Sequence, residues 1–242
     1  MKPRIFLTLT LMLTVVALNA QTVNKNQIRI GMNAPEFFAP STQGEINFPA
    51  DYYNKWKVLF SHPADFTPVC TSEIIALADK QEEFKYLNAA LIVLSTDGLN
   101  SHIEWVKSIE GISRADKPAI KINFPLVADV DLKVVRKYNM MHQDTNNRES
   151  VRSVVIIDPD NKVRTFFVYP DNIGRNIDEI LRTLKALQMA DKENVLTPAN
   201  WQIGKDVLIH APKTMKESEK LKLQNNPDLY SQTWYMWYKK SK

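Results

Sequence analysis

Between Trp56 and Lys85 the chain changes character twice, and no other feature limits its choice of fold as much. The run WKVLFS from Trp56 to Ser61 is mostly apolar and rich in strand formers, which predicts a buried strand. The next six residues, His62 to Thr67, are polar and broken by a proline. Beyond them Ile74, Ile75, Leu77, Ala78 and Phe84 recur at helical spacing among Asp79, Lys80, Gln81, Glu82 and Glu83. That pattern predicts an amphipathic helix to about Lys85. Thr67 fits its N-cap, and Pro68 its first position, where a missing N–H costs nothing. A strand that feeds a helix through a short loop is the repeating unit of an α/β layered domain.

Cys70 falls in the first turn of that helix and is the only cysteine among 242 residues. Free backbone N–H groups and the positive end of the helix dipole favour a thiolate there. A lone cysteine is also often no more than a small buried hydrophobe. Here it stands in a polar, proline-punctuated loop with the Thr67 hydroxyl one turn before it. Its chain also begins like an exported one, where an unpaired cysteine is unusual.

Pro63, Thr67 and Cys70 match the pattern Pro-x-x-x-Thr/Ser-x-x-Cys. The longer run HPADFTPVCTSE, His62 to Glu73, resembles the active-site segment of peroxiredoxins, in their one-cysteine, peroxiredoxin-6-like branch. The resemblance implies a thiol-dependent peroxidase acting on hydrogen peroxide and organic hydroperoxides. Cys70 would be the nucleophile and pass through a sulfenic acid, Thr67 would hydrogen-bond the sulfur and the peroxide, and Pro63 would shield the pocket. The segment SVRSVVII, Ser150 to Ile157, is similar to the family strand that carries the active-site arginine, which makes Arg152 the cation. Without that likeness Arg152 reads as an exposed strand residue. Arg175 matches a second family arginine, and His62 and Glu73 belong to the same motif as supporting residues. With no second cysteine, an external thiol must reduce the sulfenic acid. Neither a cofactor nor a metal is expected.

The first 20 residues stand apart. Lys2 and Arg4 precede an apolar run from Ile5 to Leu18, closed by Asn19 and Ala20. This is the layout of a secretory signal peptide cleaved near Ala20, so a periplasmic or secreted protein is expected. The run is short for a membrane span, and no stable span is expected after cleavage. The formal charge of +4 falls once Lys2 and Arg4 are removed, too weak a balance to argue for nucleic acid.

The rest reads as alternating elements. Gly44 marks a turn before a short strand at Glu45–Phe48, and Ala89–Ser95 is a continuous apolar run suited to burial on both faces. Leu99–Ile109 reads as a helix with Ile103, Val106 and Ile109 inward, started by Asn100 or Ser101. Phe124–Ala128 reads as a strand, and Asp131–Tyr138 as a helix capped by Asp131. Val151–Ile157 and Lys162–Tyr169 flank the turn Asp158–Asn161 as a hairpin, and Asn176–Met189 is again amphipathic. The resemblance makes this order an elaborated thioredoxin-like fold over residues 21–195. The segment Thr197–Trp201 (TPANW) resembles the linker that opens the C-terminal subdomain of one-cysteine peroxiredoxins, placing that subdomain at 196–242, where the family forms homodimers.

Rival readings come from other classes. A dithiol oxidoreductase wants C-x-x-C, and Thr67 holds the first of those positions. A cysteine hydrolase wants a nearby base, but His62 is eight residues away on the far side of the loop, and His102, His142 and His210 are scattered in sequence and form no metal pattern. Some one-cysteine relatives carry Gly-x-Ser-x-Gly where this chain reads Tyr53 to Lys57 (YNKWK), so no phospholipase activity is expected. A non-catalytic thioredoxin-like binding or holdase module is the alternative. It would make the set Pro63, Thr67, Cys70 and Arg152 a coincidence.

Overall fold

The hairpin β1 (Phe37–Ser41) and β2 (Gly44–Phe48) turns at Gly44, whose φ of +103° only glycine adopts without strain. The computed structural model describes residues 28–142 and 148–241; the expected signal peptide lies outside them. The chain continues through β3 (Trp56–Ser61), α1 (Pro68–Tyr86), β4 (Ala89–Ser95), α2 (Leu99–Glu110), β5 (Leu126–Ala128) and α3 (Lys133–Lys137). The hairpin β6 (Arg152–Ile157) and β7 (Val163–Tyr169) follows, then α4 (Ile177–Glu193).

These strands form one sheet in the order β2-β1-β5-β4-β3-β6-β7. Strands β3, β4 and β5 are parallel, and β6 joins β3 antiparallel with Phe60 opposite Val154. The fold is the thioredoxin-like α/β sheet that the resemblance implies. Every residue of β3 and β6 is buried, as expected of strands covered on both faces. Val58 and Phe60 enter one core with Ile74, Leu77, Ile180 and Leu184. Leu59 enters the other with Phe48, Val127, Val135 and Tyr138. Lys57 survives in this central strand because its ammonium donates to Asp158 O at 2.8 Å and Asn161 Oδ1 at 2.6 Å, inside the β6–β7 turn.

Two local expectations are corrected and one strand is added. First, α2 turns His102, Trp105 and Ile109 inward; Ile103 and Val106 are only half-buried. The polar atoms of His102 and Trp105 find partners below the helix, as described for the site, so their rings are buried without an unsatisfied group. The helix starts after Gly98, with no side-chain cap from Asn100 or Ser101. Second, α3 is capped by Asp129 and not Asp131: the Asp129 carboxylate accepts the N–H groups of Lys133, Val134 and Val135 at 2.8–3.0 Å. The left-handed Leu132 swings Asp131 outward, where it pairs with Lys133. Third, β1 escapes the sequence reading because Pro40 interrupts a short alternating run.

Past α4, Trp201 packs with Ala186, Val195 and Val207 and anchors a small three-stranded sheet. Its strands are β8 (Val207–Leu208), β9 (Leu229–Thr233) and β10 (Met236–Lys239), in the order β8-β10-β9, with α5 (Met215–Leu223) between the first two in sequence. Thr214 caps α5: Glu217 N–H donates to its hydroxyl at 3.1 Å, and Glu217 accepts from Lys213 N–H in return.

Candidate active site

Parallel strands β3 and β4 end side by side, and the loop leaving β3 drops into α1 at the carboxyl edge of the sheet. Ser61 closes β3: its hydroxyl donates to Val151 O at 2.6 Å and accepts from Ser153 N–H, tying the strand end to β6. Ser150 Oγ donates to the carbonyl of His62 at 2.6 Å, which fixes the first loop residue. Pro63 is buried beside it. Phe66 takes a positive φ of 55°, a bend rarely held by an aromatic residue. It is maintained by Asp65 N–H donating to Asp97 and by Thr67 Oγ1 donating to Ala64 O at 3.0 Å.

Thr67 is the N-cap residue and Pro68 begins the helix, as expected, but the Thr67 hydroxyl bonds neither the helix N–H groups nor the sulfur. Its proton is committed to Ala64, so its remaining lone pairs can only accept. Cys70 lies in the first turn, and contrary to a loop position its side chain is fully buried, in the core with Phe60 and Ile74.

Arg152, at the start of β6, is 2% exposed rather than solvent-facing. Its Nη1 donates to Cys70 Sγ at 3.2 Å and to Glu73 Oε2 at 2.8 Å, while Nε donates to Asp171 O at 2.9 Å. Glu73 stands one turn after Cys70 on the same helix face. Its Oε1 accepts from Arg175 N–H and Nε at 2.8 and 2.9 Å, and its Oε2 from Arg175 Nη2 at 2.7 Å. Arg175 Nη1 reaches the carbonyls of Ser61 and Ser153 at 2.6 and 2.9 Å, and its guanidinium lies 3.4 Å from the Phe60 ring centroid. Burial alone would raise the Glu73 carboxyl, but the hydrogen bonds and charge of Arg175, helped by Arg152, hold it below its ordinary value. A buried carboxylate thus orders two arginines, one of them against the sulfur.

Behind the loop lies a group that sequence reading missed. Asp65 faces His62 Nε2 at 3.1 Å and His102 Nδ1 at 2.8 Å, and His102 Nε2 faces Val127 O at 3.1 Å. Burial would raise Asp65, but the two histidines outweigh it and hold the carboxyl far below its usual range. Burial dominates at His62 and lowers it, so the ring is neutral near pH 7. It packs at a tilt against Trp105, 5.0 Å between centroids, whose Nε1 donates to Thr71 Oγ1. His102 is therefore no scattered histidine. The available signal was its place on α2, three and seven residues from Trp105 and Ile109. Donor atoms of His62, Asp65 and Asp97 lie within 4.8 Å of one another, yet both carboxylates already accept hydrogen bonds from the chain itself. His142 and His210 stay apart from this group.

A cysteine held against an arginine at a helix N-terminus, with no second cysteine in the chain, defines a single-thiol redox enzyme, not a dithiol exchanger. Residues 30–166 match the AhpC/TSA family, and residues 186–224 the C-terminal domain of 1-Cys peroxiredoxin. A peroxiredoxin of Methanosarcina mazei is 45% identical over 212 residues, covering 87% of this chain and 97% of its own. The solved yeast mitochondrial 1-Cys peroxiredoxin is 39% identical with a TM-score of 0.77, over 88% of this chain and 100% of that one. A cysteine-to-serine mutant of peroxiredoxin 6 from Arenicola marina is 31% identical, also with a TM-score of 0.77, over 89% and 99%. The chain belongs to the AhpC/TSA family and, within it, to the one-cysteine peroxiredoxins, which are thiol-dependent peroxidases.

Proposed function

We propose that Cys70 reduces hydrogen peroxide and organic hydroperoxides in an exported homodimer, with Thr67, Pro63 and Arg152 forming the reaction pocket. The contact between Arg152 Nη1 and Cys70 Sγ carries this reading. The thiolate attacks one peroxide oxygen, the O–O bond breaks, and its electron pair leaves on the other oxygen. Arg152 stabilises that developing charge, and a proton completes water or an alcohol. Thr67, able only to accept, orients the peroxide O–H. Pro63 keeps water from the sulfur. Glu73 and Arg175 hold Arg152 in place, and His62 with Asp65 holds the loop.

The sulfur is left as a sulfenic acid. One external thiol displaces water to form a mixed disulfide, and a second releases Cys70 with its own oxidation to a disulfide. The yeast relative is described as resolved through glutathione/thioredoxin systems. A small thiol of that kind suits a buried sulfur. No cofactor takes part.

Export is supported by the sequence before Gln21, and cleavage near Ala20 leaves a catalytic unit to residue 195 and a subdomain from 196. Among the described residues no helix is long and apolar enough to cross a membrane. The dimer is supported by what the subdomain lacks. From Lys205 onward the buried apolar side chains are Val207 and Trp237, while Met215, Leu223, Trp234 and Tyr235 are more than half exposed. A surface of this kind asks for a cover. Strand β7 adds an open sheet edge with Val168 exposed. Light scattering after gel filtration should give about twice the chain mass at micromolar concentration, and a monomer there refutes the dimer.

Mass spectrometry tests the chemistry and the cleavage together. After limiting peroxide without reductant, the mature chain should gain one oxygen at Cys70, trappable by a sulfenic-acid reagent and removed by dithiothreitol. A folded, previously reduced protein whose thiol stays unreacted eliminates the peroxidase and leaves a binding module.

A further inference from the structure

Arg152 is anchored by buried groups at one end only. Its Nη1 meets Cys70 and Glu73 in the interior, whereas its Nε donates to the backbone carbonyl of Asp171 in an exposed turn. The guanidinium is planar and rigid. The bond at Nε therefore sets the plane in which Nη1 approaches the sulfur.

Asp171 sits in the exposed stretch Pro170–Gly174 between β7 and Arg175, where Ile173 N–H to Pro170 O at 3.2 Å is a long internal bond. Such a turn drifts unless something ties it down. Apart from Arg152 itself, the tie among the described residues is His142. Its Nε2 lies 3.2 and 3.1 Å from the two oxygens of the Asp171 carboxylate. His142 comes from the opposite flank of the pocket. It follows Met141, which bridges Ser150, and Ser150 holds the carbonyl of His62. The His142–Asp171 pair thus closes a ring of contacts around the sulfur: the loop after β3, the start of β6, the turn after β7, and back. Neither side chain belongs to the active-site motif.

We infer that His142 and Asp171 are positioning residues for peroxide reduction: their clasp fixes the Asp171 carbonyl, which orients Arg152 toward Cys70. The inference rests on the role given to Arg152 above. It makes an unusual demand on Asp171, since its side chain serves only to place its own backbone oxygen.

That demand supplies the test. Asp171→Ala removes the clasp but keeps the carbonyl, and His142→Ala removes it from the other side. The second-order rate of Cys70 oxidation by hydrogen peroxide is measured in a single turnover for wild type, both single variants and the double variant. Each single change should slow oxidation by about tenfold, the scale of a small misalignment of a catalytic group. The double variant should be no slower than either, because one contact is lost in all three. His142→Gln, which can still present an N–H to the carboxylate, should recover most of the rate. Reduction of the sulfenic acid by dithiothreitol should be unchanged, a split that a general loss of folding does not produce. Wild-type oxidation rates in the single variants, or multiplying effects in the double, overturn the proposal. An Arg152→Ala protein separates the two levels. If it is slow while His142→Ala is normal, the clasp alone fails. If it too oxidises at the wild-type rate, the assignment of Arg152 fails and takes the clasp with it.

Discussion

Cys70→Ser protein consumes no hydrogen peroxide at any dithiothreitol concentration, while its melting temperature stays close to that of the wild type. The first half follows from acidity. A serine hydroxyl at this helix terminus remains protonated at neutral pH, and Arg152 then faces a poor nucleophile instead of a thiolate. The second half follows from packing. Cys70 is fully buried against Phe60 and Ile74, and exchanging sulfur for oxygen removes little volume. The new hydroxyl also inherits a donor from Arg152, so no polar group is stranded. Coupled peroxide consumption and thermal unfolding measure both. Residual turnover above the buffer rate contradicts a mechanism centred on this sulfur.

Arg152→Ala should lower the rate of peroxide consumption by at least about a hundredfold, the usual scale for losing one donor to a charge that develops in the transition state. Breaking a buried ion pair commonly costs about 3–5 kcal/mol when a charge is left alone. Here Glu73 keeps three bonds from Arg175, so the loss of stability should fall well short of that. Thr67→Val makes a sharper comparison. The substitution preserves shape, and the hydroxyl it deletes caps no helix N–H. Activity should drop by about a hundredfold, the scale of losing the group that orients the peroxide, with unfolding almost unchanged. A Thr67→Val enzyme of full activity shows that the hydroxyl does no more than hold Ala64.

How much of this was readable beforehand depends on how local the physics is. Strand β3, the loop and α1 were legible because their periodicity and punctuation lie within a few turns of chain, and Cys70 and Thr67 came with them. The β6–β7 hairpin was legible for the same reason. Arg152 was not, on its own: a charge at the start of a strand normally faces water. Its burial depends on Glu73 and Cys70, which lie on another element and join it only through the sheet order. His102 and Asp65 were hidden by a similar distance. A histidine on a helix face reads as polar, and the apolar Ile103 and Val106 beside it suggested a face rotated by one residue from the true one. At α3 the nearer acid, Asp131, looked like the cap, but the left-handed turn at Leu132 hands that role to Asp129. Removing Asp129 should cost about 0.5–2 kcal/mol, as for other caps. Resemblance supplied Arg152 and Arg175 where local pattern could not.

One carboxylate, Glu73, serves both arginines of the pocket at once. Replacing it with a neutral residue strands two cations in the interior, so the acid cannot drift alone over evolutionary time, and neither guanidinium can be exchanged without altering the surroundings of the other. The three positions lie on three separate segments of the chain but form a single buried charge network. A designer who wishes to retune this thiol has to change them together, or work from the outer rim, where the turn after β7 is open to solvent.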